Sequence, residues 1–288
     1  MPVLNALIHS GKFNLTVVNR ASSTATFPAS VKVTTADFSS VDSVTAAFKG
    51  QDAVISTLGA PGLLVQSVLV DAAVAAGVKR FLPSDFGCDM GNAKTGALPI
   101  YKNKVTIHKK LREAAATKPD FTYTLVCNNA FLDWGLQKNF LLNWKDTKPK
   151  IFDGGNTVFS ATTLDSVGQA VVGVLSHPEE TKNRFVYVKD IDISQNILLD
   201  LAKKIDSEKK WEEPMNVSTA EMEKSSNESI SKGQITPPVM MAYLFRILFG
   251  PAEYGGRFTN VDNELLGVKG KTVADVEVML REVMLAWR

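Results

Sequence analysis

The sequence predicts an α/β fold in which a doubly wound parallel sheet is followed by a smaller α+β lobe. Two observations predict it. Across residues 13–126 short β-rich runs alternate with helical runs, the pattern of successive βαβ units. After about Trp134 that alternation loosens into shorter strands among several helices, one of them charged and one apolar.

Taken in order, the chain opens with an apolar helical pattern from Met1 to Gly11. β-rich runs follow at Phe13–Asn19, Val31–Thr35, Asp52–Leu58, Lys79–Pro83 and Phe121–Val126. Helical stretches at Val41–Phe48, Leu63–Ala76 and Tyr101–Ala116 separate most of them, with Gly50, Gly77 and Pro119 as stop signals. Leu63–Ala76 is almost wholly apolar or small, as suits a helix pressed onto a sheet. Parallel strands joined this way require right-handed crossovers, with helices on both faces. In the second half, short strands are expected at Lys150–Asp153 and Thr157–Ser160, around a Gly154-Gly155 turn, and at Arg184–Lys189. Helices are expected at Thr163–Ser176, where Asp165 favours the dipole, from Ser194 as N-cap, and at Ser218–Ser231. Two more run from Pro237-Pro238 to Phe249 and from Thr272 to Trp287.

Composition excludes several function classes. With 288 residues, 45% hydrophobic and 22% charged, the chain can bury a core without staples. A net charge of +2 with interspersed signs gives no footprint for nucleic acid or an anionic membrane. Cys88 and Cys127 form no CxxC, which points to a reducing cytoplasm rather than a disulfide framework. His9, His108 and His177 lack metal-ligand spacing, so no metal is expected. No GxSxG elbow is present. Neither a signal peptide nor a run of ~20 apolar residues is visible.

The beginning of the chain is unusual for a doubly wound sheet, which starts with a strand, a glycine-rich turn and a helix. No GxGxxG or GxxGxxG precedes Phe13. The strand at Phe13 ends in Asn19-Arg20, where such sheets choose their cofactor: an acid holds a ribose 2′-hydroxyl, and an arginine accommodates a 2′-phosphate. Phe13–Asn19 therefore reads as a second strand and Met1–Gly11 as the back of a first helix. By that count roughly 15–20 residues, a strand, a loop and a helical turn, are absent.

The stretch Val78-Lys79-Arg80-Phe81-Leu82-Pro83-Ser84-Asp85-Phe86-Gly87 resembles the VKRFxPSEFG segment of the isoflavone reductase, pinoresinol–lariciresinol reductase and phenylcoumaran benzylic ether reductase group. That group lies in the NmrA-like family of atypical short-chain dehydrogenase/reductases. Asp85 stands here for the usual Glu. Val54-Ile55-Ser56-Thr57-Leu58-Gly59 resembles the family's VISTxG strand end, and Gln66 sits where the family has a glutamine. Tyr101-Lys102-Asn103-Lys104 resembles the segment with the family's catalytic lysine, which aligns with Lys104. Asn129-Ala130-Phe131 resembles its Asn-Cys-Phe. The match covers most of residues 1–190.

The resemblance implies a Rossmann-type domain over residues 1–150, lacking its first strand and glycine loop, and a substrate-binding lobe over 151–288 interleaved with it. It implies an NADPH-dependent oxidoreductase that reduces a small aromatic or conjugated metabolite by hydride transfer, as a monomer or homodimer. Arg20 would grip the 2′-phosphate and Asp37 would lie near the adenine. Thr57, Leu58, Gly59, Gln66, Ser84, Phe86 and Asn129 would complete the cofactor site. Lys104 would act as general acid/base or hold the ribose. Phe131, Trp134 and the apolar helix Met240–Phe249 would wall an apolar substrate cleft, with Met240 and Met241 as its adaptable part. Each residue has a plainer alternative: Asp37 as a helix N-terminal acid, Thr57 as a strand end, Phe86 as core, and Lys104 as one of several solvated lysines. The YxxxK pair of ordinary short-chain dehydrogenases is absent, because Val105 follows Tyr101 by four. Two other functions stay open: a non-catalytic dinucleotide sensor, and a chain whose cofactor binding is impaired by the missing segment.

Overall fold

Local signals set most elements of the computed structural model, which describes residues 1–287, the side chains of residues 60 and 61 excepted. Helix α1 (Pro2–Ser10) closes on Gly11, whose φ of +63° lets its N–H return to the Ile8 carbonyl at 3.1 Å. Strands β1 (Thr16–Asn19) and β2 (Lys32–Thr35) follow, then helix α2 (Val41–Phe48), capped by the Ser40 hydroxyl on the Ser43 N–H. Next come β3 (Ala53–Ile55), a 3₁₀ turn (Ala60–Val65), α3 (Gln66–Ala75) and β4 (Arg80–Leu82). A short α4 (Ala93–Gly96) precedes α5 (Lys102–Thr117), β5 (Thr122–Cys127), β6 (Ala130–Phe131) and α6 (Leu132–Gln137). The chain continues through β7 (Lys150–Phe152), β8 (Phe159–Thr162), α7 (Leu164–Ser176), α8 (Pro178–Thr181), β9 (Arg184–Tyr187) and β10 (Ile191–Ile193). It ends with α9 (Gln195–Ile205), β11 (Met215–Val217), α10 (Thr219–Ser231), α11 (Pro237–Phe249), α12 (Asn263–Leu266) and α13 (Val273–Trp287).

The elements fall into two compact units. Residues 1–86, 102–126 and 168–186 form the first; residues 87–101, 127–167 and 187 onward form the second.

In the first unit, β3, β4 and β5 run parallel in a sheet of order β3-β4-β5-β9. β1 and β2 make a separate parallel pair, with Thr16 opposite Lys32. Val44 and Phe48 of α2, Leu69 and Ala73 of α3, and Ile107 and Leu111 of α5 are buried in one core with Val54, Phe81 and Leu125 of the strands. α1 and α7 approach closely at Gly168, where a Cβ would lie 2.8 Å from the Ala6 Cβ and 3.0 Å from the Pro2 carbonyl. Arg80 is buried in strand β4 and donates to the hydroxyls of Thr122 (2.8 Å), Thr124 (2.9 Å) and Thr181 (3.0 Å) and to the Pro178 carbonyl. One guanidinium thus ties β4 to β5 and α8.

The expected single helix over Leu63–Ala76 begins instead as the 3₁₀ turn. Pro61 lacks an N–H, and the turn is closed by the Gly62 N–H on the Gly59 carbonyl at 2.8 Å; the α-helix starts only at Gln66.

The second unit holds a three-stranded sheet of order β10-β8-β6 and a parallel pair of β11 and β7. The two strands that flank Gly154-Gly155 do not pair with each other, as a tight hairpin would require. Asp153, Gly154 and Gly155 all have positive φ, and the Asp153 carboxylate caps α10 by accepting from the Thr219 N–H at 2.9 Å, which turns the chain toward β11. An aromatic ladder runs through this unit: Trp134 to Phe140 (5.8 Å), Phe140 to Phe245 (5.2 Å), Phe245 to Phe152 (4.5 Å), Phe152 to Phe249 (5.2 Å) and Phe249 to Phe159 (5.2 Å).

Candidate active site

Parallel strands all present their carboxyl ends on one side of a sheet, and loops leaving those ends build the binding sites of open α/β folds. In the first unit β4 ends at Leu82 and continues as Pro83-Ser84-Asp85-Phe86. Three other segments hold this loop. The Ser84 hydroxyl donates to the Leu58 carbonyl, beyond the end of β3, at 2.7 Å. The Ser84 N–H donates at 2.6 Å to Oε1 of Gln66, the first residue of α3. The Asp85 carbonyl accepts from the Lys104 ammonium on α5. Asp85 is also held by its side chain, because both carboxylate oxygens accept from His108 Nε2, at 2.7 and 2.9 Å. Leu58, Gln66, Ser84 and Lys104 are thereby gathered into one network.

Gln66 is fully buried, and its Nε2 makes a long contact of 3.4 Å to the Leu63 carbonyl. Its amide is engaged on the protein and supports the loop. Thr57 and Gly59 are exposed beside Leu58, and Phe86 is half-buried. Gly59 has φ −71°, a conformation open to any residue, so its backbone does not demand glycine. The Ser56 hydroxyl, at the end of β3, is buried without a hydrogen-bond partner among the described residues.

A cleft of about 600 Å³ lies at the ends of β1 and β2. It is lined by Arg20, Ser22, Asp37, Ser39, Ser43 and Val65 among others, so Arg20 and Asp37, each following a different strand, share one cavity. The Ser39 hydroxyl (2.6 Å) and N–H (2.9 Å) donate to Asp37 and hold its carboxyl below the usual carboxylate range. A guanidinium with several hydroxyls suits a phosphate, and a carboxylate beside them suits a ribose hydroxyl or an amino group. The volume falls in the range of small-molecule sites.

Asn129, Phe131 and Trp134 belong to the second unit. Asn129 is buried at φ +51°; its Nδ2 donates to the Gly256 carbonyl, while its Oδ1 has no partner among the described residues. Phe131 lies half-buried in β6. Trp134 on α6 is 40% exposed at the outer end of the aromatic ladder. Sequence reading missed two features: the Asp85–His108 pair, which four-residue spacing from Lys104 could have flagged, and the ladder residues Phe140 and Phe152. The latter gave no local signal, because they meet Phe245 of the apolar helix from distant segments.

Residues 5–227 match the NmrA-like family. The chain belongs to this family. It is 33% identical over 282 residues, 95% of its length and 92% of the relative's, to "Oxidoreductase aprR" of Aspergillus flavus. It is 35% identical over 209 residues, 70% of its length, to "Oxidoreductase poxI" of Penicillium oxalicum, and that match spans only 65% of the relative. In fold it is similar to "AtPrR2 with NADP+ and (+)pinoresinol", with a TM-score of 0.76 at 20% identity over 98% of this chain and 94% of that one. It is similar too to the leucoanthocyanidin reductase–NADPH complex of Vitis vinifera, with a TM-score of 0.74 at 18% identity over 99% and 95% of the two chains. The α/β fold with parallel sheets expected from the sequence is thus that of an NmrA-like protein.

Proposed function

We propose that this NmrA-like chain is an NADPH-dependent reductase of the isoflavone-reductase type, acting on a small aromatic or conjugated metabolite. The observation that carries the reading is the network at the carboxyl ends of β3 and β4, which brings Lys104 to the same loop as Ser84, Gln66 and Leu58. Its oxidoreductase relatives and the NADP(H) bound in structures of similar fold support it. When bound, NADPH supplies the hydride.

The chain's own residues do the rest. Arg20 takes the 2′-phosphate by a charge-assisted contact and Asp37 the neighbouring ribose or adenine. Leu58, Gln66 and Ser84 form a fixed floor, with Thr57, Gly59 and Phe86 beside it. Hydride addition to a conjugated substrate leaves negative charge that must be protonated or stabilised, and the Lys104 ammonium is the group placed to do so. Within the second unit, Asn129 carries a buried acceptor and Phe131 and Trp134 carry aromatic faces, the groups that the family resemblance assigns to cofactor and substrate. The buried cysteines Cys88 and Cys127 fit a reducing compartment such as the cytoplasm, with the protein as monomer or homodimer. Among the described residues, no helix is long and apolar enough to cross a membrane.

With NADPH at saturation, Lys104→Ala abolishes turnover of an enone and carbonyl panel and leaves cofactor binding intact. Arg20→Ala erodes the preference for NADPH over NADH. Turnover unchanged by Lys104→Ala overturns the role of Lys104, and a silent panel with the original chain overturns the reductase reading.

A further inference from the structure

Lys104 and His108 are four residues apart on α5, so their side chains emerge from the same face one turn apart. Both grip one residue of the facing loop, at different places. Lys104 donates to the backbone carbonyl of Asp85, and His108 donates through Nε2 to its two carboxylate oxygens at 2.7 and 2.9 Å. The second grip is the buried one, with Asp85 1% and His108 2% exposed. A carboxylate only accepts hydrogen bonds, so Nε2 carries a proton here. The edge-on contact with Phe185, ring centroids 5.6 Å apart at 79°, braces the imidazole from β9.

From this geometry we propose that His108 is a positioning residue for Lys104: by clamping the Asp85 carboxylate it fixes the carbonyl against which the Lys104 ammonium rests. The inference rests on Lys104 having the role given it under the proposed function, although the clamp itself does not depend on that role. The physical reason is the cost of a buried carboxylate. Held by the imidazole, Asp85 stays inside and its carbonyl stays under Lys104. Without that donor the buried carboxylate loses the hydrogen bonds to both of its oxygens, so Asp85 must move to find others and its carbonyl moves with it. A helix residue that touches neither substrate nor cofactor thereby sets where the ammonium sits.

The test uses the full chain as wild type, His108→Gln, His108→Leu, Lys104→Ala and the double variant His108→Leu/Lys104→Ala. Glutamine places an amide N–H near the reach of Nε2 and rescues the clamp; leucine removes the donor. The first readout needs neither cofactor nor substrate: the rate at which acetic anhydride modifies Lys104, measured by mass spectrometry with Lys102 and Lys109 as internal standards. His108→Leu is expected to change the Lys104 rate about fivefold, His108→Gln less than about twofold, and neither standard moves. The second readout is turnover at saturating NADPH. His108→Leu is expected to lower kcat about tenfold with KM for NADPH nearly unchanged, and to cost nothing further once Lys104 is alanine. A Lys104 labelling rate in His108→Leu equal to wild type overturns the proposal. So does a loss of turnover as large in the Lys104→Ala background as in wild type. If His108→Leu does not fold, His108→Asn, one methylene short of Asp85, carries both expectations. A chain with no reductase turnover refutes the proposed function, and the labelling rates still decide the clamp.

Discussion

Replacing Gln66 by leucine isolates one hydrogen bond of the candidate site and gives a magnitude that can be worked from the structure. Gln66 is 1% exposed, and its Oε1 accepts from the Ser84 N–H at 2.6 Å. The opposite contact, Nε2 to the Leu63 carbonyl, is 3.4 Å long and contributes little. Leucine is close to glutamine in volume, so the change removes an acceptor without opening a large cavity. It leaves a backbone N–H without its partner, a loss of about 1–3 kcal/mol for a buried group. Ser84 is half-buried, so water can partly replace the amide, and apolar burial of leucine offsets some of the rest. A net destabilisation of about 1–2 kcal/mol follows. Because Ser84 also holds Leu58 through its hydroxyl at 2.7 Å, Gln66→Leu and Ser84→Ala act on one loop and couple by about 0.5 kcal/mol or more. Two assays read this: denaturant unfolding of both single variants and the double, and amide exchange at Ser84. Exchange should quicken about tenfold for each 1.4 kcal/mol lost locally. Ser84 exchange unchanged from wild type, with strictly additive unfolding energies, would refute the assignment of Gln66 as the support of this loop.

Two further outcomes follow from charged groups outside that loop. Arg80→Met should destabilise by about 2–3 kcal/mol, read by chemical denaturation, whereas Lys79→Ala, which breaks a fully solvated pair with Asp52, should stay within about 0.5 kcal/mol. The asymmetry arises because the three threonine hydroxyls on Arg80 already donate elsewhere, Thr122 to the Lys79 carbonyl, Thr124 to that of Thr181, and Thr181 to that of His177, so each turns a lone pair toward the guanidinium. Equal effects of the two substitutions would refute it. Asp192 in the second unit is raised by burial but held lower overall by hydrogen bonds from Lys189, Arg257 and Ser160. A depressed folded-state value means this stabilisation is complete above the ordinary aspartate range near pH ~4 and is lost as pH falls through the lower folded value. Asp192→Asn should therefore destabilise at pH 7 and narrow its gap to wild type in acid; a gap independent of pH would count against it.

How much of this could be read from sequence follows from where each determinant lies. Helices with a local cap were legible: Ser40, Ser194 and Ser218 each accept from an N–H three residues on, and Gly11 and Gly77 end helices at positive φ. Strands β6, β10 and β11 were not: they are two or three residues long and lie outside the strand–helix alternation that made the equally short β3 and β4 legible. Their hydrogen-bond partners, such as Ala161 for both Ala130 and Ile191, are distant in sequence. The turn at Gly154-Gly155 was visible as a turn, but not that Asp153 would send the chain to cap α10.

The site divides the same way. Every parallel strand delivers its carboxyl end to the same side, so a residue's distance from a strand end largely fixes whether it can reach the site. That is why Arg20 and Asp37, chosen for following two strands, share a cleft, and why Leu58 and Ser84 meet. Which groups bond to which is set by side-chain reach across segments, and there sequence context misleads. His108 stands among lysines and reads as solvated surface, yet it is buried, because a carboxylate 23 positions earlier needs a donor inside the unit. A histidine on a basic helix face is thus better judged by what the facing loop must neutralise than by its neighbours along the chain. By that criterion Asp85, one methylene shorter than the glutamate this loop has in the family it resembles, and His108 are to be read together, as one pair whose reach is set by both side chains.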